Sequence, residues 1–312
     1  MKTVLVIGSI NLDNVLRVQN LPKRGETIIA KNYEIVEGGK GANQAAAVGK
    51  LGVKVSMFGK IGNDIYGEML LKSLKDSNVN TENIIIDEKI STGTAFITVE
   101  NSGENTIVID HGANGKIKLE EIKRLESKIF SNDIIVTQME IPIEIVFYVI
   151  KKARKLNKII ILNLSPAVKI PDKILNQIDF LILNELELEF LTNVIYSRNS
   201  LNDAIKKLRN FYKNKIVVTI GPDGAAYSLN DNQLKIIPTF DVIPIDKTGA
   251  GDAFIGGFVF GLANDKNIDE CIKLGNATGS LATTIIGAQK SLPHLSKLKN
   301  FLARNNVDLN QI

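Results

Sequence analysis

The 312-residue sequence predicts an α/β fold: a three-layer αβα arrangement with a mostly parallel central sheet, plus a small second β-sheet. Three observations carry that expectation. Apolar runs rich in Val, Ile and Leu recur along the chain, several of them continuous, as in strands buried on both faces. Amphipathic stretches with apolar residues three or four apart lie between them, and strand alternating with helix implies βαβ units. Two regions break this rhythm with strand-like segments and no helix following.

In chain order the expected core strands are "TVLVIG" (3–8), "KVSMFG" (54–59), "DIIVTQ" (133–138), "KIIILN" (158–163), "DFLILN" (179–184) and "KIVVTI" (215–220). Helices are expected over 65–77, 142–156 and 200–213, and from the glycines at 38–41 to about Leu51. The irregular regions are 12–37, with "ETIIAKNYEIVEGG", and 91–110, "STGTAFITVENSGENTIVID". The second reads as a hairpin whose loop is "NSGEN". No internal repeat, low-complexity tract or linker is evident, so a single domain over 1–312 is expected, with these strands inserted in it.

Hydrophobic residues at 44% and charged residues at 23% are ordinary for a globular protein. The formal net charge is only +4 and the lysines are scattered, which argues against nucleic acid as a partner. The single cysteine, Cys271, has no partner for an internal disulfide and suits a reducing compartment. The opening "MKTVLVIGSINLD" turns polar too early for a signal-peptide core, and no apolar run approaches the ~18 residues of a membrane span. A cytoplasmic protein is expected.

The most informative stretch is "DKTGAGDAFIGGF" (246–258). Here Gly249, Ala250 and Gly251 deliver Asp252 to the start of an apolar run. A glycine-rich turn opening a helix exposes backbone N–H groups to an anion, and a carboxylate beside that anion is placed to take a proton from an attacking hydroxyl. A tight strand-to-helix turn capped by Asp252 accounts for the same residues. A second cluster is "EGGKGANQAAAVGKLG" (37–52), where glycines allow close backbone approach and Asn43 offers an amide from the first helical turn. Upstream, "GSINLD" ends the first strand with Asn11 and Asp13, a pair able to grip vicinal hydroxyls. A Gly-rich turn and an ordinary strand exit also explain these two segments. Neither G-x-x-x-x-G-K-[ST] nor G-x-G-x-x-G is present at these positions, which counts against a Walker-type phosphate loop and a dinucleotide-binding dehydrogenase.

Taken together, "GSINLD", "GGKGANQAA", "STGTAFITV" followed by "GEN" and "GAN", "NELE" and "DKTGAGDAF" stand in the order and spacing of the ribokinase family of carbohydrate kinases. The chain resembles that family over essentially its whole length. The resemblance implies a central sheet flanked by helices, a β-sheet lid over the sugar formed by the two irregular regions, and a homodimer clasped through the lids. It implies ATP-dependent phosphorylation of the 5-hydroxyl of D-ribose, giving D-ribose 5-phosphate and ADP. Relatives acting on deoxyribose, another sugar or a nucleoside are the near alternative; a non-catalytic sugar-binding regulator on the same fold is the distant one.

By the same resemblance Asn11, Asp13, Gly39, Lys40, Asn43 and Glu140 would hold the sugar, and Asp252 would be the general base. The N–H groups of Gly249, Ala250 and Gly251 would stabilise the transferred phosphoryl group. Asn184 would face the nucleotide phosphates and Glu187 would help hold Mg²⁺ through water. Thr219, Gly221, Gly224 and Asn276 would line the nucleotide site. A monovalent cation, usually K⁺, would be held by Asp246 and Ser291 with the carbonyls of Thr248, Ala282, Ile285 and Gly287. Read on its own, Glu140 before Pro142 also suits a cap of the following helix. His111 and His294 lack metal-ligand spacing and take no role. The chain departs from the family pattern at "NLSPA" (163–167), and Lys290 adds a charge near the cation loop.

Overall fold

The computed structural model describes residues 1–102, 104–229 and 233–307. The first strand, β1 (Val4–Ile7), is wholly buried, as a continuous apolar run predicts. From it the chain enters the second sheet through β2 (Asn11–Arg17) and β3 (Asn32–Gly38). It returns through the alanine-rich α1 (Lys40–Lys50), then β4 (Val55–Gly62), α2 (Ile65–Asp76) and β5 (Val79–Asp87). A second excursion forms β6 (Gly93–Val99) and β7 (Asn105–Asp110), followed by a 3₁₀ turn over Gly112–Lys116. Gly103, in the expected hairpin loop, lies outside the described residues.

Two short helices, α3 (Leu119–Arg124) and α4 (Glu126–Ile129), lead to β8 (Ile134–Thr137), α5 (Ile143–Lys155), β9 (Ile159–Asn163) and α6 (Asp172–Leu175). Then come β10 (Phe180–Asn184), α7 (Glu185–Thr192), α8 (Leu201–Arg209), β11 (Lys215–Thr219), β12 (Ala225–Ser228) and β13 (Leu234–Ile237). Three helices close the chain: α9 (Ala250–Ala263), α10 (Ile268–Thr283) and α11 (Leu295–Arg304).

The large sheet runs β13-β12-β11-β10-β9-β8-β1-β4-β5. Seven of its strands pair in parallel, and only β12 and β13 join antiparallel. Alternate residues serve opposite layers. Leu5, Ile7, Ile135, Ile160 and Leu181 pack into the core that contains Ile145 and Val149 of α5, whereas Val4, Val6, Val136 and Ile161 pack into that containing Val48 of α1 and Phe258 of α9. The chain leaves β1 towards β4 and β5 and later returns on its other side at β8. That reversal opens a crevice at the carboxyl ends of the strands, where α/β sheets hold ligands. The residues delivered there are polar: Ser9 after β1, Gln138 after β8, Asn163 at the end of β9, Asn184 of β10 and Thr219 of β11.

The expected core strands are all present to within a few residues. The edge strand β5 and the β12–β13 hairpin were not expected. "VNTENIIID" is half polar because an edge strand is only partly covered, and β12 and β13 have four residues each, too few for a periodicity to register. The helix expected to reach 213 stops at Arg209.

The small sheet has the order β3-β2-β6-β7. β2 pairs antiparallel with β3 and parallel with β6, and β6 pairs antiparallel with β7. The strands fall within 12–37 and 91–110 except for Asn11 and Gly38 at their ends.

Candidate active site

Helices α1 and α9 lie side by side, pointing the same way. A Cβ added at Gly256 would sit 2.4 Å from Ala47 Cβ, and one turn earlier Asn43 Nδ2 donates to Asp252 Oδ2 at 2.9 Å. Two helix N-termini, each the positive end of a helix dipole, therefore converge on the Asp252 carboxylate. Its other oxygen accepts from Gln44 Nε2 at 2.9 Å; that nitrogen also donates to Asn163 Oδ1 at 3.1 Å. Gln44 Oε1 in turn accepts from Gln138 Nε2 at 2.6 Å. Asp252 is only 8% exposed. Burial pushes its pKa above the usual carboxylate range and Glu140 adds to the rise, against the pull of Lys40, Gln44 and Asn43.

Lys40 follows Gly39, the N-cap of α1, whose φ of 86° lies in the left-handed region. Burial lowers the Lys40 pKa, but the four carboxylates of Asp252, Glu140, Glu187 and Asp13 outweigh it, and the ammonium is held charged. Asp13 on β2 has its pKa raised to about 7, first by burial and then by Glu140 and Asp252. Glu140 Oε2 accepts from Ser9 Oγ at 2.5 Å and from the Lys40 N–H at 3.2 Å. It therefore caps α1, 100 residues earlier, rather than the helix that follows it. One of its oxygens is thus committed to the scaffold.

Beyond Asp252 a cleft of about 220 Å³ runs towards the carboxyl ends of β9, β10 and β11, lined by Lys40, Asn163, Asn184, Glu187, Thr219 and Gly251 among others. The N-x-x-E pair is a capping box: Asn184 Oδ1 accepts from the Glu187 N–H at 2.9 Å, and Glu187 Oε2 accepts from the Asn184 N–H at 2.8 Å. Burial raises the pKa of the Glu187 carboxyl, against hydrogen bonds from Asn184 and Ser165 and the charge of Lys40, so a cation in the cleft would stabilise its charged form. Gly221 and Gly224 form the turn joining β11 to β12, and a Cβ at Gly224 would meet Ile237 O at 2.2 Å. Asn276 does not line this cleft; its Nδ2 donates to Ile237 O and Pro238 O, leaving its carbonyl oxygen for any ligand.

At the Gly-Ala-Gly turn, Gly249 takes φ 75°, which places the next residues in the first turn of α9. The Ala250 N–H donates to Lys247 O at 3.2 Å. Ala250 is thereby removed from the expected donor set, because the turn needs that bond to close. Gly249, Gly251 and Asp252 keep N–H groups with no partner among the described residues. A Cβ at Gly251 would meet nothing within 4 Å, so the open side of the turn faces the cleft.

The expected cation ligands gather around one loop. Asp246 Oδ2 accepts from the Gly287 N–H at 2.9 Å, and its Oδ1 accepts from Thr248 N at 2.9 Å and Thr248 Oγ1 at 2.7 Å. Burial opposes the Asp246 charge, but these donors prevail and hold its pKa below the usual range. Ser291 Oγ donates to Ala288 O at 2.8 Å, and the Ile285 N–H donates to Ala282 O at 3.2 Å. Oxygen-rich, with a charged carboxylate, the loop suits a hard cation by its donor chemistry.

Residues 1–295 match the profile of the pfkB family carbohydrate kinases. The chain belongs to that family. It is 37% identical over 304 residues to a ribokinase of Haemophilus influenzae, covering 96% of this chain and 98% of that one. It is 33% identical over 304 residues to a deoxyribokinase of Salmonella typhimurium, covering 97% and 99%. Its structure superposes on that of an Arabidopsis thaliana ribokinase complexed with ribose and ATP with a TM-score of 0.87 at 29% identity, covering 96% and 98%.

Within this pfkB kinase the structure joins Asn43, Asp252, Lys40, Glu140 and Asp13 into one hydrogen-bonded or electrostatic cluster. Asn184, Glu187 and Thr219 lie along the adjoining cleft, and the loop of residues 285–291 stands behind the Gly249 turn, where a Cβ would meet Ala288 Cα at 3.1 Å. Reading the sequence missed Gln44, Gln138, Asn163 and Ser9. Gln44 sits inside the "GGKGANQAA" motif, one residue after Asn43, and its polarity on an otherwise apolar helix was a readable signal. Gln138 and Asn163 carried a weaker one, as amides ending buried strands.

Proposed function

We propose that this pfkB carbohydrate kinase transfers the γ-phosphoryl group of ATP to the 5-hydroxyl of D-ribose, with Asp252 as general base. The observation that carries this reading is the Asp252 carboxylate, held by Asn43 and Gln44 where two helix N-termini meet. A proton leaves the hydroxyl for Asp252 as the oxygen attacks phosphorus, and the bond to the β-phosphate oxygen breaks with its electron pair leaving on ADP. The free N–H groups of Gly249 and Gly251 stabilise charge on the moving phosphoryl group, and Lys40, between the two halves of the site, adds a positive charge. Asn11, Asp13 and Asn43 hold the sugar hydroxyls, with the free oxygen of Glu140. Thr219, Gly221 and Gly224 flank the nucleotide. Asn184 would face the nucleotide phosphates, and Glu187 would help hold through water a Mg²⁺ ion that offsets the charge of the β- and γ-phosphates. The loop of Asp246, Thr248 and Gly287 would take K⁺.

The small sheet acts as a lid that excludes water, which would otherwise compete as acceptor. The exposed apolar side chains of one face, Tyr33, Phe96 and Val108, suit a homodimer joined lid to lid. No described helix is long and apolar enough to cross a membrane. We read the protein as cytoplasmic, a reading that its one free, buried cysteine supports.

ADP release with MgATP across ribose, 2-deoxyribose, fructose and adenosine, each with and without K⁺, tests the reading. Ribose turnover that falls about 10²–10⁴-fold in Asp252→Asn is expected. Preference for 2-deoxyribose, as the name of the Salmonella relative would suggest, would keep the mechanism and replace the substrate.

A further inference from the structure

Asn114, in the "GAN" segment after β7, is completely buried beneath the base of the lid. Its side chain makes three hydrogen bonds. Oδ1 accepts from the Ile10 N–H at 2.9 Å, and Nδ2 donates to Ile10 O at 2.9 Å and to Asn11 Oδ1 at 2.7 Å. The first two partners are main-chain groups whose polarity is chemically fixed, so the Asn114 amide has one possible orientation. Its second hydrogen must then fall on an acceptor, and the Asn11 atom facing it must be oxygen rather than nitrogen. Asn11 is therefore oriented too. Its NH₂ turns away from Asn114, has no protein partner among the described residues, and is not sealed from solvent.

The surrounding backbone is shaped around this bridge. A Cβ at Gly93, the first residue of β6, would lie 2.3 Å from Asn114 Nδ2 and 2.5 Å from Asn11 Oδ1, so only glycine fits there. The 3₁₀ turn that carries Asn114 is tied down by Ala113 N donating to Ser91 O at 2.9 Å. Asn114 thus joins the start of β2, the start of β6 and the segment leaving β7, three roots of the lid, at one amide.

We propose that Asn114 is a positioning residue for sugar recognition: by fixing the Asn11 amide it presents an N–H donor, two residues from the Asp13 carboxylate, to the oxygens of the sugar. A substrate hydroxyl is then recognised as acceptor to Asn11 and donor to Asp13, a polarity that neither residue specifies alone. The inference rests on the ribose-kinase reading above.

The test measures ribose affinity by calorimetry, KM for ribose and for ATP, kcat, and melting temperature for wild type, Asn11→Asp, Asn11→Ala, Asn114→Ala and the Asn11→Ala/Asn114→Ala double variant. Asn11→Asp still accepts from Asn114 but offers no donor to the sugar. It should weaken ribose binding about tenfold or more, with the ATP KM within about twofold of wild type and a cooperative thermal melt retained. Asn114→Ala should raise the ribose KM similarly, and adding it to Asn11→Ala should cost little more, because its effect passes through Asn11. Wild-type ribose affinity in Asn11→Asp, or additive losses in the double variant, would overturn the positioning role while leaving the kinase reading intact. No ribose binding by the wild type would overturn both. If Asn114→Ala does not fold, Asn11→Asp decides alone.

Discussion

Gln44 Nε2 donates to Asp252 Oδ1 at 2.9 Å with both of its hydrogens committed, the other to Asn163, while its Oε1 is held by Gln138. The amide cannot turn over without breaking three bonds, so the plane of the carboxylate is set from outside the glycine-rich turn that carries it. Gln44→Leu strands one carboxylate oxygen in a buried site, a loss of about 1–3 kcal/mol. A fall in kcat of about 10–100-fold should follow, since ~1.4 kcal/mol is tenfold in rate. Gln44→Glu instead sets a like charge beside Asp252 and raises its pKa further. The acid limb of kcat/KM against pH should then move to higher pH. A profile superimposable on wild type apart from its height would show that Gln44 acts by shape alone.

Gly251 offers a cleaner separation of folding from phosphate binding. A Cβ at this position meets no protein atom within 4 Å, and alanine is favoured over glycine in a helix by up to about 1 kcal/mol. Gly251→Ala should therefore melt at the same temperature or slightly higher, yet lose about tenfold or more in kcat/KM for ATP as the methyl crowds the phosphates. Unimpaired ATP kinetics would place the phosphoryl group elsewhere.

Asp13 links the sugar site to stability. Its folded pKa, about 7, exceeds the ordinary 3.8, so it favours the folded state fully below pH ~3.8 and loses that contribution as pH rises through about 7. Asp13→Asn removes the charge that burial, Glu140 and Asp252 disfavour. Its melting temperature should exceed that of wild type by several degrees at pH 8, at roughly 2–4 °C per kcal/mol, and the gap should close towards pH 4–5. Thermal melts from pH 4 to 9 check this; a pH-independent gap would mean Asp13 is not the titrating group.

One face of the small sheet carries exposed apolar side chains, with Phe96 51% and its cross-strand partner Val108 68% exposed. A Phe96→Glu/Val108→Lys variant should run as a monomer in light scattering where a dimeric wild type is expected, with ribose turnover reduced. A monomeric wild type would remove the clasp.

The periodic elements were readable because their cause is local. Val4–Ile7, Ile159–Asn163 and Phe180–Asn184 are continuous apolar runs because both faces of each strand are covered, and the glycines at 249 and 251 marked a turn that had to open towards something. The capping box of Asn184 and Glu187 spans only four residues and was present in the letters. What the sequence by itself determined is therefore the α/β class, the extra sheet, the glycine-rich turn at 249–252 and the family. Tertiary structure alone decided the rest. Asp252 takes its partners from Asn43 and Gln44, more than 200 residues earlier, and Glu140 caps a helix 100 residues before it. Asn114 orients Asn11 across 103 residues. A hydrogen bond needs its two atoms within about 3 Å and correctly aimed, and between distant segments only the packed sheet and helices supply that geometry.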